Sequence, residues 1–262
     1  MSFDPNTLAD PAGADGAKAL VKQAAQVLEV LEYFAAVRQP ATLAEISTTM
    51  GWPKSSTSNL LATLRTLGYL YEPGSRRGYY PTTKLSQLAE KIRSGEPVPE
   101  TVDAVLSSLV AQTGESAALA APNGLTNVVL AISESPSAVR FTTKVGDCYP
   151  MSNSASGRAL MSLLPAAERA RMVAKSPIDR YTEKTLTTIE EIEADIQASE
   201  KRGWFLGDQE LQIGLMGVAV PFKLQQQHYA ILIAGPTERF QPRLEAIAAA
   251  LVQAVGSNFG SA

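Results

Sequence analysis

The residues best suited to chemistry in this chain of 262 residues lie in "GWPKSSTSNLLATLRTLGYL", residues 51 to 70. Lys54 is followed by five short hydrogen-bonding side chains: Ser55, Ser56, Thr57, Ser58 and Asn59. An apolar helical pattern begins only after them, with Leu60, Leu61, Leu64 and Leu67. A helix that merely packs gains nothing from such a start. A helix whose N-terminal end is pushed into a DNA groove does. Short side chains let the backbone approach closely, Ser and Thr donate or accept, and Asn pairs bidentately with adenine. Exposed N–H groups at that end also favour phosphate. Lys54 adds a phosphate or guanine contact, and Arg65 is a further cation on the same helix. The plain alternative is a Ser-rich helix cap.

A second run, "YPMSNSASGRALMSLL", carries small residues from Ser152 to Gly157 into a helix whose N-terminus offers N–H groups to an anion. Its plain alternative is an N-cap at Ser154. Other chemistries find little support. Cys148 and His228 are each the sole residue of their type. No intrachain disulfide or Cys/His zinc site can form, and a buried thiol and a surface-loop imidazole are expected. Glu115, Glu134, Asp208 and Glu210 are acids a cleft could use, but no spacing makes them a catalytic pair. No nucleophile elbow, P-loop or dinucleotide fingerprint appears. The expectation is no catalytic residue, no metal, no cofactor and no enzyme.

The elements that must position these residues divide by charge. Residues 17 to 95 hold ten Lys/Arg against five acids, residues 96 to 262 hold 13 against 18, and residues 1 to 16 add three Asp. A basic third beside an acidic remainder predicts two domains with different partners, the basic one suited to nucleic acid. Apolar residues at 20, 21, 24, 27, 28, 31 and 34 predict a first helix over residues 17–36. Thr42 with Glu45 three residues on is a capping-box pattern opening a second helix, with Leu43, Ile46 and Met50 inward and Gly51 at its end. Pro53 suits the first turn of a third helix that runs to about Leu67. "YLYEP" and "GYYPT" around "GSRR" read as a hairpin with Arg76 and Arg77 at its tip, placed to follow the DNA backbone or enter the minor groove. Three helices and a hairpin make a winged helix-turn-helix. No apolar run is long enough to span a membrane, and the N-terminal stretch lacks the marks of a secretory signal, so a cytoplasmic protein with a short acidic tail is expected.

After the Pro/Gly-rich "SGEPVPE" a helix "ETVDAVLSSLVAQTG" is predicted. The strands "SAALAAP", "TNVVLAIS" and "VRFTTKVG" follow, then helices over 155–163, 165–175 and 188–202. The strands "GWFLG", "IGLMGVAVPF" and "HYAILIAGP" come next, and a helix from Pro242 to about Asn258 ends the pattern. This is an α+β layout with a mainly antiparallel sheet, helices on one face and room for a small molecule on the other.

With these stretches in view, the chain resembles the IclR family of bacterial transcription regulators. "QVLEVLEYF", "ATLAEISTTMGWPKSSTSNLLATLRTLGYL" and "GYYPTTKLSQLAEK" carry the likeness in the first domain. "KVGDCYPMSNSASGRALMSLLP", "EIEADIQASEKRGWFLGDQELQIGLMGVAVPF" and "ILIAGPTERF" carry it in the second. The resemblance implies a winged helix-turn-helix over 17–82 after a tail of 1–16, a linker helix over 83–97, and a GAF-like effector-binding and oligomerisation domain over 98–262. It implies double-stranded operator DNA, an inverted repeat, as partner, a small-molecule effector, and a homodimer or homotetramer. Two departures concern DNA. Gln23 stands where the family usually has a basic residue, and Ser58 and Asn59 stand where an aromatic or His and then Arg are frequent. Fewer long cationic contacts predict modest affinity per half-site, with oligomerisation supplying the rest.

The resemblance also places the effector near Ser154, Ala155 and Ser156. At the other pocket positions this chain departs from carboxylate-binding members. Gly207, with Asp208 beside it, stands for an Asp, Gly217 for a Cys, and Leu232 and Ala234 for two Ser. A roomier, less polar pocket is implied, and with it an aromatic or alkyl acid or another largely apolar metabolite. Two rival readings are a C-terminal domain that only oligomerises and an enzyme using the C-terminal pocket.

Overall fold

A computed structural model describes residues 21–74, 78–93, 95, 101–176 and 178–260. The chain divides after Glu96 into two compact units.

In the first unit α1 (Lys22–Val37), α2 (Leu43–Met50) and α3 (Lys54–Thr66) precede a two-stranded ribbon of β1 (Leu70–Tyr71) and β2 (Tyr80–Pro81), and α4 (Lys84–Arg93) follows. The capping box forms as the sequence dictates. The Thr42 hydroxyl accepts from the Glu45 N–H, and the Glu45 carboxylate accepts from the Thr42 N–H at 2.7 Å. These Thr42 contacts hold the Glu45 carboxyl below its ordinary range. Gly51 closes α2 at φ 65°. Pro53 is the N-cap of α3 rather than its first helical residue.

The face of α1 needs correction. Val30, Tyr33 and Phe34 are its buried residues, while Val21 and Leu28, two of the apolar positions whose spacing predicted the helix, are 68% and 57% exposed. Two overlapping apolar stripes both satisfy helical spacing here, and the one carrying two rings takes the core. Phe34 meets Tyr33 edge-on at 5.5 Å and Tyr80 of the ribbon at 5.9 Å. Gly78 starts the returning arm of the ribbon at φ 76°, where a Cβ would lie 2.1 Å from the Ala41 carbonyl oxygen. Only glycine fits there, and the Ala41–Tyr79 bridge depends on it.

The second unit opens with α5 (Thr101–Thr113), β3 (Ser116–Asn123), β4 (Thr126–Ser133) and β5 (Cys148–Pro150). Then come α6 (Ala155–Ser162), α7 (Ala166–Lys175) and α8 (Ile189–Arg202). It closes with β6 (Phe205–Asp208), β7 (Leu215–Leu224), β8 (Gln227–Pro236), the short α9 (Thr237–Phe240) and α10 (Leu244–Phe259). The six strands form one antiparallel sheet in the order β5-β4-β3-β8-β7-β6.

Strand alternation sends one set of side chains, including Leu119, Val218, Ile231 and Ile233, into a core with α5 and α10. The other set, including Phe205, Ala219 and Ala230, meets Leu160, Ile192 and Ile196 of α6 and α8. Both faces therefore carry helices, and the expectation of a single covered face is corrected. Two element boundaries are corrected as well. Residues 139–146 are not a strand, because the Asp147 carboxylate takes the Thr143 hydroxyl and the Lys144 N–H and closes a turn. Pro242 sits in a 3-10 turn, Gln241–Arg243, before α10 begins.

Candidate nucleic-acid interface and effector site

The opening of α3 separates into side chains that face solvent and side chains that hold the helix. Lys54, Ser55 and Asn59 are exposed and Ser58 is half-buried. The exposed Ser56 turns its hydroxyl to the Pro53 carbonyl at 2.9 Å. Thr57 is fully buried, and its hydroxyl donates to the same carbonyl at 3.0 Å. Thr57 is therefore removed from the expected DNA contacts: it fastens the first turn against the core. Arg65 is exposed but pairs with Glu72 beyond β1, so its charge is partly spent on holding the ribbon to α3. Arg76 and Arg77 lie outside the described residues.

In the second unit three of the expected effector positions, Gly207, Gly217 and Ala234, lie on one row of the sheet. Gly207 is paired with Gly217, Gly217 with Ala234, and Ala234 with Ser116. These four share the parity of Phe205, Ala219 and Ala230, so they face α6. Leu232, paired with Ala219, belongs to the next row on the same face. Gly207 lies under the first residue of α6, where a Cβ would come 3.4 Å from that of Ala155. Ala155, Gly207, Gly217 and Leu232 are all half-buried. The floor thus offers glycine backbone, one methyl and one leucine, with no polar side chain from Gly207 to Ala234.

Asp208 is corrected: it has the opposite strand parity to Gly207, and its carboxylate pairs with Lys184 Nζ at 2.6 Å. Ser154 and Ser156 are corrected too. Ser154 is the N-cap of α6, its hydroxyl accepting from the Gly157 N–H and donating to the Pro150 carbonyl at 2.7 Å. The buried Asn127 donates to that same hydroxyl at 3.0 Å and accepts from the Ser156 hydroxyl at 2.9 Å. Both hydroxyls are committed to the interior. Gly157 closes this packing, since a Cβ there would sit 2.2 Å from the Met151 carbonyl oxygen. Phe141 and Tyr149 stand close by with ring centres 6.4 Å apart, and the Phe141 carbonyl accepts from the Ser116 hydroxyl at the end of the row. Burial, aided by the nearby Asp147 charge, pushes the Tyr149 hydroxyl above its ordinary pKa, against the opposing bond to Thr143.

The residue that sequence reasoning missed is Arg158. Its side chain is wholly buried, and its guanidinium is bidentate to Glu210 at 2.5 and 2.8 Å. It also donates to the Ser152 and Leu206 carbonyls and faces Asp195 of α8 at 2.6 Å. Burial pulls its pKa down, but Glu210 and then Asp195 hold it above the ordinary value. Burial raises the Glu210 carboxyl in turn, against the pull of Arg158. The signal was available: one long cation inside a helix start that is otherwise small and apolar implies a buried partner.

The four acids set aside for catalysis are each paired with a base: Glu115 with Arg239, Glu134 with Arg140, Asp208 with Lys184 and Glu210 with Arg158. Cys148 is exposed on the edge strand, contrary to expectation. His228 lies in β8 rather than in a loop, with β4 and β3 between it and Cys148's strand. Among the described residues no group of His, Cys, Asp and Glu could hold a metal ion, and no helix is long and apolar enough to cross a membrane.

Residues 92–259 match the family model described as bacterial transcriptional regulator IclR C-terminal, and residues 24–74 match the IclR helix-turn-helix domain. The probable transcriptional regulator SauR of Cupriavidus necator is 27% identical, over 80% of this chain and 84% of that protein. The transcriptional repressor AllR of Klebsiella pneumoniae is 24% identical, over 97% of this chain and 92% of that protein. The crystal structure of the Thermotoga maritima IclR shares the fold, with a TM-score of 0.72 at 18% identity, covering 92% of this chain and all of that one.

Proposed function

The chain belongs to the IclR family of bacterial transcriptional regulators, with a helix-turn-helix DNA-binding domain and a C-terminal effector-binding domain, and from that premise we propose which residues read DNA and what the effector is. The start of α3 reads the major groove through Ser55, Ser58 and Asn59, with Lys54 on a phosphate or guanine and with Arg76 and Arg77, between β1 and β2 in chain order, as contacts to the backbone or minor groove. The protein acts in the cytoplasm by binding rather than catalysis. The base paired with each candidate acid supports that reading. Two copies or four bind an inverted repeat, and the exposed Leu28, Leu88 and Ile92 of α1 and α4 are apolar side chains suited to a second copy.

The effector is an aromatic or alkyl acid or another largely apolar metabolite, seated on the row Gly207, Gly217, Ala234 beside Leu232. The observation that carries this is the absence of a polar side chain along that floor, together with Ser hydroxyls turned away from it. An anionic end, where present, meets the backbone N–H groups of the first turn of α6, of which the Gly157 N–H is already capped. A ligand that binds only the folded protein raises its melting temperature, by about 2.7 kcal/mol of stabilisation at a hundred times its Kd. A thermal-shift panel followed by calorimetry therefore tests the proposal. Aromatic and medium-chain acids should give the largest shifts. A short hydrophilic acid such as pyruvate proving the tightest ligand would contradict it.

A further inference from the structure

The last carbonyls of a helix have no partner within it and must find one elsewhere. At the exit of α3 the carbonyl of its C-cap Leu67, and those of Gly68 and Tyr69 just beyond it, are all taken by one short segment, Thr82 and Lys84, which leads from the ribbon into α4. Lys84 Nζ donates to the Leu67 carbonyl at 2.6 Å. The Thr82 hydroxyl donates to the Gly68 carbonyl at 2.7 Å, and the Thr82 N–H to the Tyr69 carbonyl at 2.9 Å. The Thr82 hydroxyl also accepts from the Lys84 N–H at 3.2 Å, tying the two residues together. The Lys84 ammonium lies 4.7 Å from the centre of the Tyr69 ring, within cation–π range. A cation at a helix C-terminus offsets its negative dipole end. Arg65, in the last turn of α3, is engaged by Glu72, and Lys84 supplies the cation at the exit carbonyl.

We propose that Thr82 and Lys84 form a clasp that makes α3 and α4 a single lever, with Lys84 a positioning residue for operator reading rather than a DNA contact. The proposal rests on α3 being the recognition helix. Since α4 is the element leading in chain order to the second unit, a tilt of α4 about its first turn carries α3 with it or breaks the Lys84 bond and pulls on the Thr82 hydroxyl that the Lys84 N–H holds. Lys84 counts among the ten cations of the basic third, yet its charge is turned to a carbonyl and a ring.

The test uses the full chain and its Lys84→Met, Lys84→Arg and Thr82→Val variants. The probes are genomic fragments retained by the unsubstituted protein and an unrelated duplex of equal length, across a salt series, with each variant's melting temperature recorded. Met keeps the stem against Tyr69 and removes the donor and charge. Loss of a charged hydrogen bond predicts about tenfold weaker binding of Lys84→Met to the retained fragments. Binding to the unrelated duplex and the log–log salt slope should stay as they were, Lys84→Arg should restore most of the affinity, and Thr82→Val should lose a few-fold on the retained fragments alone. Equal loss on both duplexes, with the slope reduced by about 0.9, would make Lys84 a phosphate contact and overturn the clasp. A lower melting temperature with unchanged affinity would overturn it as well. Should the unsubstituted protein retain no particular fragments, the recognition-helix reading itself fails and takes the clasp's role with it.

Discussion

Thr57 and Asn59 are two residues apart on one helix and meet opposite surroundings. Thr57 is buried with its hydroxyl on the Pro53 carbonyl, while Asn59 is exposed. Thr57→Val is expected to lower the melting temperature and leave the preferred DNA sequence as it was. Asn59→Ala is expected to leave the melting temperature nearly unchanged and to relax selection at one base pair, since a bidentate contact is worth about 1–3 kcal/mol of discrimination. Selection of each variant's preferred sites from random duplexes, beside a melt, separates the two. A changed site preference in the Thr57 variant, or none in the Asn59 variant, would reverse their roles. The residue types of the run were legible in the sequence, but their division between core and solvent was not. Thr and Asn are both short and polar, and only the way α3 rolls on α1 and α2 decides which is covered.

At the scale of elements, Arg158 joins α6 to β6, to the turn after it and to α8. Removing one partner of a buried pair costs about 3–5 kcal/mol, because the remaining charge is left without compensation. Arg158→Met strips Glu210 and Asp195 of their cation. Burial already raises the Glu210 carboxyl, and losing Arg158 removes the group that pulls it down. A carboxyl whose folded pKa stands above its unfolded value binds more protons in the folded state, so its contribution favours folding at low pH and is lost as pH rises through the folded pKa. The variant's deficit should therefore be largest at neutral pH and shrink towards pH 5. Chemical denaturation at both values checks this, and a deficit that grows on acidification would contradict it. Much of the element order was legible, because capping boxes, Gly C-caps and alternation are local signals. The turn at 143–147 was not, because Thr and Val favour a strand until one carboxylate claims the backbone. The second covered face of the sheet was not either, since alternation reports two buried sets only when both are long, and on the α6 side the set is largely Gly and Ala.

For the whole molecule, one chain joins a DNA-binding domain to an effector-binding domain. Charge asymmetry along the sequence pointed to that division, and the pairing of Arg65 with Glu72 and of Lys84 with Leu67 now shows that part of the basic charge is structural. The DNA-reading claim is tested most directly by incubating the full-length protein with sheared DNA from its source organism at physiological salt and sequencing what is retained. A few enriched fragments sharing a short inverted repeat are expected, with retention that falls when Asn59 is replaced. Uniform retention, or retention that vanishes at physiological salt, would contradict that claim and leave the first unit a weak electrostatic binder.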